Sequence, residues 1–377
     1  MKKMLMLTSV ASMIDQFNMS NISILLNMGY EVHVACNFEK GNTCSGKRIQ
    51  ELQVKLQQLN ISYHQIDFAR NIIKINENIK AYYQVLNLLK RYKYDFIHCH
   101  SPIGGLCGRI AAHLTKTKVI YTAHGFHFFK GAPIKNWLLY YPVERWLARY
   151  TDVLITINKE DYKYAANKMS PIKKIEYVPG VGIDIDKIRN ISIDKQQMKA
   201  KFSIENECVL ISIGELNFNK NHETIIKAIS DIDLPLKYIV CGRGNNLDYL
   251  KSLTKELRVE NKVIFLGFRE DVYELLKMSD VFCFPSYREG LSVALMEAMA
   301  AGLPVICSNI RGNSDLVEEG KGGYLVKPKD VEGFARYITE MVSDIKLREN
   351  LGDFNQRKIE NYSVQNVLKY MERIYQL

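Results

Sequence analysis

Short β-rich runs alternate with helical stretches along almost the whole of this 377-residue chain, and the alternation starts a second time half-way. The first half carries "KMLMLTS", "YEVHVAC", "FIHCH", "KVIYTAH" and "DVLITIN", with helical patterning over 71–92 and 134–150. After "YVPGVGID", a turn-rich stretch with one proline and two glycines, the pattern resumes with "CVLISIG", "LKYIVCG", "KVIFLG", "VFCFPS", "PVICS" and "GGYLV". Apolar strands joined through helices pair in parallel, because each helix carries the chain back along the sheet. The length also exceeds what one hydrophobic core serves. The expectation is therefore an α/β protein of two Rossmann-like domains, 1–183 and 184–358, facing each other across a cleft. Residues 359–377 are expected to form a helix that packs back on the first domain. Ligands of such sheets bind beyond the carboxyl ends of the strands.

Composition narrows the function classes. With 47% apolar and 24% charged residues the chain reads as an ordered globular protein. None of the eight cysteines forms a C-x-x-C, so they read as free thiols in a reducing cytosol and neither as a disulfide scaffold nor as a zinc site. His98, Cys99 and His100 lie on a strand, where the two histidines share one face. No metal is expected there. "MKKMLMLTSVASM" looks superficially like a secretory signal but reads as the first strand, since Asp15 and Gln16 soon interrupt the apolar run. No stretch reaches the ~18–20 apolar residues that a spanning helix needs. Nor does G-x-G-x-x-G follow the first strand, which argues against a nicotinamide dehydrogenase.

The stretch "YREGLSVALMEAMAAGLPVICS" carries the chemistry. "VFCFPS" reads as a strand, "YREGLS" as the loop beyond it and "VALMEAMAA" as a helix with Ser292 at its N-cap and Gly302 as its stop. Gly290 lets the backbone approach a ligand, and the first helical amides point at it, an arrangement suited to phosphate. Glu297 has Val293, Ala294, Ala300 and Ala301 as its helical neighbours. A carboxylate there calls for a polar ligand, such as a pair of sugar hydroxyls, unless that side of the helix faces solvent. Glu289 is read either as part of the same site or as a solvated loop charge.

The net charge of +10 is concentrated in one window. Residues 109–151 hold seven basic residues (Arg109, Lys116, Lys118, Lys130, Lys135, Arg145, Arg149), one acid (Glu144) and both tryptophans, Trp137 and Trp146. Basic residues interleaved with aromatics suit an anionic membrane surface, while an ordinary packed helix with its aromatics inside is the alternative. No nucleic-acid motif accompanies the charge, so nucleic acid is not expected as a partner.

The segment "FPSYREGLSVALMEAMAAGLPVICSNIRGNSDLVEEGKGGYLV" resembles the donor-binding signature of glycosyltransferase family 4, retaining enzymes of the GT-B fold. "DFIHCHSPIGGLCGRIAA" and "TKVIYTAHGFHFFKGAPIKNWLLYYPVERWLARYTDVLITINKEDY" are similar to the exopolysaccharide and capsule branch of that family. With "ISIGELNFNKNHETIIKAI" the likeness spans nearly the whole chain. It implies an acceptor-side first domain and a second domain for a nucleotide-sugar. Glu297 would hold the ribose hydroxyls and Glu289 would lie against the donor sugar, with the amides of Gly290 and Leu291 and the cap at Ser292 beside the diphosphate or the sugar. Lys220 would neutralise the leaving diphosphate, Phe268 and Arg269 would contact the base, and His124 would touch the transferred sugar. The nucleotide-sugar is a co-substrate, and neither cofactor nor metal is implied. The implied partners are a UDP-sugar and an undecaprenyl-diphosphate-linked glycan, met by a cytoplasmic protein peripheral to the inner face of the membrane.

Two positions depart from the family pattern. An arginine is usual five residues before the lysine, where this chain has Glu215, so another cation should compensate: Arg243, Arg288 or Arg269. Where relatives carry a Gly-Gly pair in the first loop, this chain has "TSVASMIDQFN", and Asp15 is placed on the acceptor side. The competing readings are a sugar-nucleotide 2-epimerase, against which the paired glutamates argue, and a non-catalytic partner subunit, which Glu215 keeps in view.

Overall fold

A computed structural model describes residues 1–69 and 74–376. The chain divides into two compact units, Met1–Val181 with the segment from Val367 onward, and Gly182–Asn366. The segment from Val367 onward thus belongs to the first unit, whereas residues 359–366, expected to go with it, belong to the second.

The first unit is built on seven parallel strands: β1 (Lys3–Val10), β2 (Glu31–Asn37), β3 (Ser62–Gln65), β4 (Phe96–His100), β5 (Lys118–Ala123), β6 (Val153–Thr156) and β7 (Lys174–Tyr177). Their order is β3-β2-β1-β4-β5-β6-β7, so Leu5 pairs with His33 on one side and with Ile97 on the other. The central strands are buried on both faces, which is why they read as continuous apolar runs. The edge strands β3, "SYHQ", and β7, "KIEY", are only half-buried and carry no such run. The helix expected over 71–92 spans Ile75–Tyr92; residues 71–73 lie outside the described residues.

Two features of this unit sharpen the sequence expectations. The first loop is largely helical, Ala11–Phe17, and Asp15 is held by Arg48 through contacts of 2.8 and 3.1 Å, so its carboxylate is already engaged. The basic window 109–151 also divides. Arg109 is buried and paired with Glu144 at 2.8 Å, and Trp137 packs with Phe128, Tyr141 and Tyr164, whereas Lys130, Lys135, Arg145 and Arg149 are exposed.

The second unit has six parallel strands: β8 (Cys208–Ile213), β9 (Leu236–Cys241), β10 (Val263–Gly267), β11 (Val281–Phe284), β12 (Val305–Ser308) and β13 (Gly323–Val326), in the order β10-β9-β8-β11-β12-β13. Alternate residues serve opposite faces. Val209 and Ile211 enter one core with Phe282 and Met296, while Cys208 and Leu210 enter the other with Tyr238 and Phe334. Each fully buried side chain of this size contributes ~1.5–3 kcal/mol. The direction of winding reverses between β8 and β11. At that switch point the loops after these two strands meet beyond the carboxyl edge of the sheet.

All eight cysteines are free thiols, seven of them buried. Among the described residues no helix is long and apolar enough to cross a membrane.

Candidate functional site

The loops after β8 and β11 are stitched together at the switch point. Asn217 accepts the backbone N–H of Lys220 at 3.1 Å and starts a 3₁₀ turn over Phe218–Lys220. Asn221 follows with φ 55°, buried, and its side-chain amide donates to the carbonyls of Pro285 (2.9 Å) and Pro328 (2.7 Å). Tyr287 N–H donates to the carbonyl of Asn219 at 2.8 Å, and the Asn219 side chain donates to that of Arg288 at 2.9 Å. These bonds bring Lys220 Nζ to 2.7 Å from Glu289 Oε1, with the ammonium also 4.7 Å from the centre of the Phe284 ring. Both side chains are mostly but not completely buried, and the ion pair offsets part of the cost of that burial.

Gly290, Leu291 and Ser292 continue the β11 loop. The Ser292 hydroxyl accepts the N–H of Leu295 at 3.3 Å and caps the helix Val293–Ala300. The loop after β12 closes on the same place. At Gly312, φ 79°, an added Cβ would lie 2.2 Å from the carbonyl oxygen of Gly290, so only glycine permits this approach. Arg311, buried beside it, donates from Nε to the carbonyl of Glu289 at 3.3 Å. Sequence reasoning missed Arg311. Its signal was position: it lies within the signature segment, next to the glycine that abuts the Glu289 loop.

Glu297 lies a little over one turn into the helix and accepts a hydrogen bond from Tyr273 Oη at 3.1 Å. Burial raises its carboxyl from the ordinary 4.5 to about 7, against the opposing pull of the Tyr273 hydroxyl and the Lys187 ammonium. Lys187 Nζ lies 5.4 Å from the centre of the Tyr273 ring. Between pH 4.5 and about 7 the native state holds a proton here that the unfolded chain releases, so stability falls as pH rises through that window. Above it, the buried carboxylate costs on the order of a few kcal/mol. Glu297→Gln is expected to raise the melting temperature at pH 8 and to match the parent protein near pH 4.5. Calorimetry at the two pH values checks this; a variant less stable at pH 8 would contradict it.

The remaining second-unit residues separate. Arg269 is taken up by Asp271, 2.7 Å away, which removes it as the obvious counterweight to Glu215. Arg243 lies 5.6 Å from the centre of the exposed Phe268 ring. Its backbone carbonyl accepts the N–H of Leu216 at 2.9 Å, next to the exposed Glu215, whereas the carbonyl of Arg288 meets the same loop further on, at Asn219. Arg288 is exposed. The structure thus joins Lys220 to Glu289 and Glu297 to Tyr273, with Arg243 and Phe268 forming a third, more open group.

His124 belongs to the first unit, directly after β5. Its Nε2 lies 2.9 Å from Nδ1 of His100, and burial lowers its pKa to about 4, so the ring is neutral at physiological pH.

Residues 194–358 match the family described as "Glycosyl transferases group 1", and residues 5–158 match "Glycosyl transferase 4-like". The chain is 35% identical to the "Putative glycosyltransferase EpsD" of Bacillus subtilis, over 99% of this chain and 96% of that one. It is 32% identical to the Escherichia coli "UDP-Gal:alpha-D-GlcNAc-diphosphoundecaprenol alpha-1,3-galactosyltransferase", over 82% and 81% of the two chains. Among solved structures, Anabaena HepE in complex with UDP and glucose superposes with a TM-score of 0.81 at 20% identity, covering both chains completely.

Proposed function

We propose that this chain, which belongs to the glycosyltransferases and has the two parallel-sheet domains of the GT-B fold, transfers a sugar from a UDP-sugar to a lipid-linked glycan with retention of configuration. The observation that carries the reading is the Lys220–Glu289 pair at the switch point of the second sheet, beside the capped helix start. A diphosphate placed there competes with Glu289 for Lys220 and meets the amides of Gly290 and Leu291. Fixed charge and oriented N–H groups stabilise the departing diphosphate without a metal. Glu289, released from the lysine, is then free to accept hydroxyls of the donor sugar. The raised carboxyl of Glu297 suits ribose hydroxyls, which supply the hydrogen bonds its surroundings withhold. Phe268, with Arg243 beside its ring, offers a flat surface to the base, and Arg269 follows it in the chain.

In the step itself the acceptor oxygen bonds to the anomeric carbon and the anomeric carbon–phosphate oxygen bond breaks. The acceptor proton passes to the leaving phosphate oxygen, giving UDP and the extended glycan. The relative whose name specifies UDP-galactose and a diphosphoundecaprenol-linked acceptor supports both substrate classes. A thermal-shift screen against UDP, GDP, ADP, TDP and CMP tests the donor. UDP alone should stabilise the protein, by about 2.7 kcal/mol at a hundredfold excess over Kd. Stabilisation by another nucleotide and not by UDP would reassign the donor.

A lipid-linked acceptor requires the protein at a membrane, and the helix Ile134–Leu147 suits that task. Ile134, Leu138, Pro142 and Trp146, spaced by four residues, are all exposed, Ile134 and Leu138 to more than 70%, and Leu139 widens the stripe. Lys130, Lys135, Arg145 and Arg149 are exposed too, and each contributes about 1 kcal/mol near an anionic surface. Flotation with anionic vesicles at low salt should carry the protein upward, and Leu138→Asp should leave it at the bottom. Parent protein that stays at the bottom removes the membrane from the proposal.

A further inference from the structure

His98 and His100 project from the same face of β4, their ring centroids 4.1 Å apart. His98 is fully buried and both its nitrogens are occupied: Nδ1 lies 2.8 Å from Tyr375 Oη and Nε2 2.8 Å from Thr122 Oγ1. His100 is 98% buried, with only one nitrogen occupied. Its Nδ1 meets Nε2 of His124, while its own Nε2 is enclosed with no hydrogen-bond partner among the described residues. The functional reading leaves His100 without a role.

Counting protons assigns one. A neutral imidazole carries a single N–H, and across the 2.9 Å contact one nitrogen must donate and the other accept. If His124 donated, Nδ1 of His100 would be bare and its only N–H would sit at the enclosed Nε2, facing no acceptor. A buried donor without a partner bears the full desolvation penalty, and orphaned N–H groups are rarer than under-used acceptors. If His100 donates, its Nε2 is left with a lone pair only. We infer that His100 is a positioning residue that holds His124 as the tautomer protonated at Nδ1. His124 then presents an N–H donor at Nδ1, and its one lone pair is spent on His100. Burial, which lowers the pKa of His98 to about 3 and of His124 to about 4, keeps the cluster neutral.

The consequence rests on the reading in which His124 meets the transferred sugar. There it gives a hydrogen bond to a sugar oxygen and takes no proton, which leaves deprotonation of the acceptor to the departing phosphate. The spacing of "HCH" and the histidine after the next strand make this geometry: His100 pairs in register with Thr122, two residues before His124.

The test is a long-range ¹H–¹⁵N correlation spectrum of full-length protein labelled with ¹⁵N-histidine, read near neutral pH without donor or acceptor. His124 is identified by the signals that vanish in His124→Gln. In the parent protein Nδ1 of His124 should carry the proton and Nε2 should not. His100→Phe should shift His124 toward the Nε2–H form, and His100→Asn, whose amide can donate in place of the imidazole, should retain the Nδ1–H form. A parent protein with His124 protonated at Nε2, or a tautomer unchanged in His100→Phe, overturns the inference; if His100→Phe does not fold, the parent spectrum decides it. Because no substrate is present, failure of sugar transfer would count against the functional reading and not against this assignment.

Discussion

Lys220→Ala is expected to lower kcat by about 10²–10³-fold, the range seen when one pre-positioned group that stabilises developing negative charge is removed. The leaving diphosphate gains charge as the anomeric bond breaks, and Lys220 is the cation that the stitched loops hold against the Glu289 carboxylate at the switch point. Folding should change far less. Neither partner is sealed off completely, so Glu289 regains water when the lysine is gone. Lys220→Arg should not restore the rate, because a planar fork does not present its donors where the compact ammonium over the Phe284 ring does. The two glutamates should then separate kinetically: Glu289→Ala should mainly reduce kcat, whereas Glu297→Ala should weaken nucleotide binding and raise KM for the donor. Initial rates of UDP release, with thermal shifts for UDP binding, distinguish them. Equal, negligible effects of Lys220→Ala, Glu289→Ala and Glu297→Ala would sink the site assignment.

The sequence was most informative where burial on both faces of a sheet forced continuous apolar strands. Strands β1, β4, β5, β8, β9 and β11 are of this kind, and their spacing was enough to expect two parallel sheets. The edge strands β3 and β7 left no such trace, because one side of each is not covered by a neighbour and their residues stay half-buried. In the site, the capped helix start could be read from "EGLS", since a cap is a local interaction over three residues. Long-range partners could not. Tyr273 lies 24 residues from Glu297 and Arg311 lies 22 from Glu289, and periodicity does not report such distances. Nor does a charge count report burial. Arg109 and Arg149 contribute equally to a sum over the sequence, yet one is sealed against Glu144 and the other is in solvent.

The buried partner of that contrast carries the second large effect: Glu144→Ala should destabilise the protein by ~3–5 kcal/mol. Arg109 donates from Nε to the carbonyl of Gly105 at 2.9 Å and from Nη1 to Glu144 at 2.8 Å, its guanidinium lies 4.0 Å from the centre of the Tyr121 ring, and Nη2 has no partner among the described residues. Tyr121 Oη donates to the other Glu144 oxygen at 3.2 Å. Removing the carboxylate strands a permanent cation that cannot shed its charge, and leaves the tyrosine hydroxyl unsatisfied as well. For a unit of this size the loss corresponds to roughly 6–20 °C in melting temperature. The double change Arg109→Met with Glu144→Leu removes both charges and retains apolar volume, so it should recover most of the loss. A melting point within about 2 °C of the parent for Glu144→Ala would mean that water reaches the guanidinium. Glu144 also ties the helix Ile134–Leu147 to the helix Pro102–Thr115 behind it. The double variant should therefore keep the outward stripe of Ile134, Leu138 and Trp146 in place and still float with anionic vesicles, which separates the role of this ion pair in holding the helix from any role of its charge at the membrane.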